Sequence, residues 1–280
     1  MASPLPGAVA ASAAERGTGP GRPRIHATIL TMTIALALLA GAFIGSVLGF
    51  IGAGGAMLSV PILIYFFHYT PNHASTAALL VVFTAALSGV IPKMRKGEVI
   101  YREAIAISGI GLITNLGGAA LSKHLSDRTI LTGFSLVLMV AGSSMLRGPI
   151  NGKAEKKMPV IILILLSLVI GLLTGIFGIG GGFLAIPILV LFFHTPQSKA
   201  AGTSLAIICL NTLISLIGHH SIWHAVKWSI PLIMAMGAIG VASLASHHAS
   251  KLPAKQLRIA FAILLYSIAT FQLVKSWILN

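Results

Sequence analysis

Gly45 to His68 reads GSVLGFIGAGGAMLSVPILIYFFH, and Gly171 to His194 reads GLLTGIFGIGGGFLAIPILVLFFH. Aligned at an offset of 126 residues without a gap, the two stretches agree at 12 of 24 positions. The agreement includes five glycines (Gly45/Gly171, Gly49/Gly175, Gly52/Gly178, Gly54/Gly180, Gly55/Gly181), a proline (Pro61/Pro187) and a histidine (His68/His194). Leucines coincide by chance in any two apolar runs, but glycines, proline and histidine in register do not. The chain is an internal duplication.

Hydrophobic residues make up 56% and charged residues 9% of the 280 positions, and the mean hydropathy is +0.96. A soluble domain carries about 25% charged residues, so the solvent of this chain is the bilayer. Its apolar runs reach or approach the ~20 residues that a spanning helix needs. Nineteen Lys and Arg stand against five Asp and Glu, a formal charge of +14. Nucleic acid is not the implied partner, because the basic residues fall mostly in short loops where positive-inside sorting places them. An anionic substrate would draw on the same sign. Cys209 is the single cysteine, so no disulfide or cysteine metal site is expected, and no cofactor or metal is implied.

The expected architecture is an all-α polytopic membrane protein. Residues 1–27 form a disordered tail, 28–147 the first transmembrane repeat, 148–158 a cytoplasmic linker and 159–280 the second repeat. Lys93, Arg95, Lys96 and Arg102, and then Arg147, Lys153, Lys156 and Lys157, flank two crossings and so share one side, the cytoplasm. The apolar piece at 56–67 is short for a crossing. This favours about eight transmembrane helices plus two glycine-broken re-entrant segments, with parallel halves and Lys251, Lys255 and Arg258 outside. The alternative is a five-plus-five inverted repeat, which puts those three residues inside.

Irregular backbone at membrane depth persists only where protein buries it or a wet cavity adjoins it. Gly52, Gly54 and Gly55 in one half, and Gly178, Gly180, Gly181 and Gly182 in the other, interrupt apolar segments without polar turn residues. A short helix starting after each break presents free N–H groups and a positive dipole end, an arrangement that holds anions without a charged side chain. Matched glycine breaks in two halves are also the sequence mark of a transporter's binding site. Gly45-x-x-x-Gly49 and Gly171-x-x-x-Gly175 fit helix packing.

The doubled G-x-x-G-x-G-G-x-x-x-x-P-x-L pattern, the Thr-Pro pairs at 70–71 and 195–196, and Ala-Gly-Thr-Ser-Leu at 201–205 resemble the TauE/SafE family of sulfite and organosulfonate exporters. The likeness runs from about residue 30 to 277. It implies a multi-pass permease of the cytoplasmic membrane for small sulfur oxyanions or sulfonates. The first-half counterpart of 201–205 reads Ala-Ser-Thr-Ala-Ala at 74–78, which makes the second half the main source of polar contacts.

Thr203, Ser204, Asn211 and Asn115 join the glycines as substrate-binding candidates, since intramembrane polar groups face the protein interior. Pro61, Pro187, His68, His194 and Lys199 are assigned gating or structural roles, with a cationic histidine complementing a helix C-terminus. His219, His220 and His224 read as loop residues rather than metal ligands. All five acids (Glu15, Glu98, Glu103, Asp127 and Glu155) fall in the tail, in loops or at span ends. The expected partners are a small anion and the lipid bilayer. A coupling ion, H+ or Na+, and a homo-oligomer are left open. The expected activity is export of sulfite or an organosulfonate, with no enzyme chemistry. The competing readings are a passive anion channel, a permease for another solute such as a metal cation, and an intramembrane hydrolase.

Overall fold

A computed structural model describes residues 22–122, 124–147, 159–177, 182–192 and 194–277. The described residues form ten α-helices: α1 (Arg22–Ile51), α2 (Gly55–Tyr65), α3 (Pro71–Arg95), α4 (Tyr101–Ser122), α5 (Asp127–Arg147), α6 (Val160–Phe177), α7 (Gly182–Phe192), α8 (Gln197–Gly218), α9 (Ser229–Ala249) and α10 (Ala254–Trp277). A 3-10 helix, His220–Ala225, joins α8 to α9. Residues 1–36 and 37–280 are separate compact units. The described part of the first is the opening of α1, with Leu30, Met32, Ile34 and Leu36 exposed.

Among the described residues, six helices are long and apolar enough to cross a membrane: Leu30–Ile51, Asn72–Arg95, Arg128–Leu146, Gln197–Gly218, Ser229–Ala249 and Ala254–Val274. Two of the expected spans fall outside this set. The stretch Val160–Ile176 of α6 is apolar but shorter. Helix α4 opens on Arg102 and Glu103, and from Ala104 to its end it carries no charged residue. Many large side chains of these helices, among them Leu39, Ile113, Leu116, Ile161 and Met236, point outwards as a lipid solvent requires.

Within the larger unit, the first helix of each half packs on the fourth helix of the other. A Cβ on Gly45 would lie 2.5 Å from the carbonyl oxygen of Ala238, and one on Gly49 2.5 Å from that of Ala242. The contacts advance together along both helices, so α1 and α9 run parallel. In the other pair, Gly171 of α6 meets the backbone of Gly111 in α4, and Gly118 meets Leu172. Thr114 Oγ1 donates to Leu168 O at 2.8 Å across the same seam. Small residues let the backbones close to this distance without a side chain between them.

The molecule's two ends are tied differently. At one end, Lys93 Nζ pairs with Glu98 Oε2 at 2.8 Å and donates to Ser250 Oγ at 2.9 Å. Ser250 in turn donates to Glu98 at 3.0 Å, and Lys96 Nζ donates to His247 O at 3.1 Å. The α3–α4 loop and the α9–α10 connection therefore meet. At the other end, the Tyr69 hydroxyl donates to Lys227 O and Thr76 Oγ1 lies 3.1 Å from His219 Nδ1.

Candidate functional site

Helix α1 stops at Ile51 because the chain turns left-handed. Gly52 has φ +82° and Gly54 φ +91°, a region that side chains rarely enter. Residues 52–55 are all buried, so this irregular backbone lies inside the protein, as its depth in the chain's apolar run demands. A Cβ on Gly52 would lie 2.7 Å from Ala201 Cα, which makes the contact backbone to backbone. Gly54 is the N-cap of α2 and supplies no side-chain cap. The first N–H groups of α2 thus face the break with the positive end of the helix dipole behind them.

Ala200 to Leu205 of α8 are buried beside the break. Gly202 is held against the carbonyl of Glu98, where any Cβ would collide. Thr203 Oγ1 donates to Lys199 O at 2.7 Å and accepts from Ile100 N at 3.0 Å. Its hydroxyl therefore fastens the α3–α4 loop onto α8. Ser204 is buried one residue further on. The first half repeats part of this geometry: Thr76 donates to Asn72 O at 3.1 Å, four residues back, as Thr203 does to Lys199.

The structure brings the first break and the start of 201–205 together, but not every candidate. Asn211 is half-buried on α8, ten residues beyond Ala201 and so ~15 Å along the axis. Asn115 is half-buried on α4 beside Thr114, at the α4–α6 seam. Lys199 is half-buried in the first turn of α8, and its carbonyl receives Thr203. Gly178, Gly180 and Gly181 lie outside the described residues, and Gly182 opens α7. Pro61 sits inside α2 and Pro187 inside α7, each depriving a carbonyl of the helix of its donor.

His68 and His194 share one unusual feature. Both have φ +56°, and the residue after each closes the preceding helix in the same way. Tyr69 N donates to Leu63 O at 3.1 Å and Thr195 N to Leu189 O at 3.0 Å. Histidine tolerates this left-handed conformation better than most residues, and its repetition follows from the repeated helix end.

Two charged groups, Lys93 and Glu103, behave otherwise than a loop assignment suggests. Lys93 is 1% exposed, buried inside the end of α3 and neutralised by Glu98. Only its position one residue after Pro92, still within the apolar helix, distinguishes it in the sequence from the exposed cations that follow. Glu103, in the first turn of α4, is 9% exposed and its Oε2 has no hydrogen-bond partner among the described residues. No group of three or more metal-ligating side chains occurs among the described residues.

Comparison with known proteins is consistent across this whole region. A family model described as "Sulfite exporter TauE/SafE" matches residues 37–271. A probable membrane transporter protein of Xylella fastidiosa is 28% identical over 247 residues, covering 85% of this chain and 94% of its own. One from Bacillus subtilis is 29% identical over 237 residues, covering 74% and 85%. One from Methanocaldococcus jannaschii is 27% identical over 261 residues, covering 87% and 96%. No solved structure matches the chain.

Proposed function

This chain belongs to the TauE/SafE family of membrane transporters, and on that premise we propose that it exports a small sulfur oxyanion or organosulfonate across the cytoplasmic membrane. The observation that carries the reading is the buried break at 52–55, packed on Ala201 and opening an uncapped helix N-terminus. An oxyanion there accepts hydrogen bonds from α2 backbone N–H groups while the helix dipole compensates its charge. Because the donors are fixed in the fold, they hold an anion without burying a permanent cation whose desolvation would oppose binding.

We also propose the five-plus-five inverted arrangement. The Lys93–Glu98–Ser250 network and the Lys96–His247 bond support it, since they join the loop at 96–100 to the connection at 250–253. The eight-span count would part those segments by the membrane. In the inverted arrangement Arg95, Lys96, Lys251 and Lys255 gather at one end, which positive-inside sorting assigns to the cytoplasm. The break lies toward that end, because Ala201 is four residues from the start of α8, ~6 Å along its axis. This supports loading from the cytoplasm.

The test is flux in proteoliposomes of the full chain against a panel of sulfite, sulfate, a simple sulfonate and nickel. Saturable flux of a sulfur anion, lost in Gly54→Ala, is the expected result. Flux of nickel alone would overturn the anion reading. Non-saturating anion flux that ignores every ion gradient would assign a channel instead.

A further inference from the structure

A concavity lies near the same end of α8. It has a volume of about 240 Å³, between the α7–α8 connection and the start of α10, with His194, Gln197, Ser198, Ser250 and Arg258 in its wall. Gln197 is only 5% exposed, yet neither its Oε1 nor its Nε2 has a hydrogen-bond partner among the described residues. The buried Nδ1 of His194 is in the same condition. A side-chain amide withdrawn from water with both ends unused is disfavoured unless something else bonds to it. At ~30 Å³ per water in the liquid, the space admits a small polyatomic ion with part of its hydration.

The charges around the cavity select the sign of that ion. Arg258 brings a guanidinium whose planar fork suits paired oxygens. Gln197 is also the first residue of α8, a helix of 22 residues whose N-cap, Pro196, makes no side-chain cap, so the positive dipole end lies at the same place. Of the described acids near this end, Glu98 is already held by Lys93 and Ser250, and Glu103, in the first turn of α4, is not part of the cavity wall. The hydroxyl of Ser250 is thereby committed as well. What remains in the wall is the Arg258 cation and the Gln197 amide, which offers an N–H donor to an anion and a carbonyl oxygen to a protonated oxygen or a retained water.

We propose that this cavity is an oxyanion-binding site, in which Arg258 matches the charge and the Gln197 amide fixes the orientation. A free oxyanion and the phosphate of a lipid headgroup present the same chemistry. The site deepens the permease reading by giving the cargo a docking place before the glycine break, and it rests on that reading only for the onward passage.

The experiment is calorimetric titration of sodium sulfite and sodium sulfate into the full chain in phosphatidylcholine nanodiscs, with flux measured in parallel. Saturable binding of at least one anion is expected, weakened about tenfold or more by Gln197→Leu and by Arg258→Gln, and partly restored in Arg258→Lys. Without anion, Gln197→Leu should melt at or above the wild-type temperature, because an apolar side chain replaces an unpartnered buried amide. Loss of the anion-induced rise in Tm then reports the site rather than the fold. Phosphatidylglycerol in the discs separates the sources: competition that Arg258→Gln removes assigns the headgroup, and its absence assigns the free anion. Equal affinities in wild type, Gln197→Leu and Arg258→Gln would overturn the site even if flux persists. Binding that depends on both residues without any flux would keep the site and reject the permease.

Discussion

At Gly202 and Thr203, neighbouring residues do one job by different means. Gly202 lets the Glu98 carbonyl rest on the α8 backbone, and Thr203 receives the Ile100 N–H from the same loop. Thr203→Val keeps the shape and removes the hydroxyl, leaving a backbone donor unpaired. The expected loss is about 1–3 kcal/mol of stability, readable as a lowered melting temperature, with sulfite affinity per folded molecule unchanged. A fall in affinity at unchanged stability would place Thr203 in the substrate site. The Lys93–Glu98 pair gives a second test. Removing one partner of a buried pair leaves a stranded charge, at a cost of roughly 3–5 kcal/mol when burial is complete, and less here because Glu98 is 17% exposed. Lys93→Met should therefore destabilise more than Lys93→Met with Glu98→Gln. Additive losses in a double-mutant cycle would show that the pair is not coupled.

At the scale of whole helices, glycines separate by what faces them. Gly171 and Gly118 sit against backbone at the α4–α6 seam, and Gly45 and Gly49 against α9, whereas Gly109, Gly117 and Gly240 have nothing within 4 Å of a built Cβ. Gly171→Ala should lower folded yield and melting temperature, while Gly109→Ala should be neutral or stabilising by up to ~1 kcal/mol. Equal effects at both positions would deny the seam its role. The G-x-x-x-G spacing made the first half of each seam legible in the sequence, and the glycine clusters made the first break legible too. Their partners were not, because Ala201, Ala238 and Gly111 are ordinary small residues until folding sets them opposite a glycine. Gln197 carried no signal in the sequence, and Glu103 and Arg258 read only as span-end residues, for a related reason. Each is a single polar residue near a span end, and only tertiary burial distinguishes it from an interfacial one.

For the molecule as a whole, the arrangement of the halves is the property most open to a decisive measurement. Each half contributes helices to the other's seam, so α1 with α9 and α4 with α6 are equivalent under the duplication. An inverted repeat produces such an exchange around an axis lying in the membrane plane, as in transporters that alternate access between two related halves. Parallel halves would instead put the α3–α4 loop and the α9–α10 connection on opposite faces. With Cys209 replaced, single cysteines at Arg95, Lys251 and Ser221, all exposed positions, report the three relevant ends. In right-side-out cells an impermeant maleimide should label Ser221→Cys and spare both Arg95→Cys and Lys251→Cys, and permeabilisation should render those two reactive. Labelling of Lys251→Cys with Arg95→Cys protected would restore the eight-span arrangement. It would also require the Lys93–Ser250 and Lys96–His247 bonds to be absent in the membrane, since no bond of about 3 Å spans a bilayer.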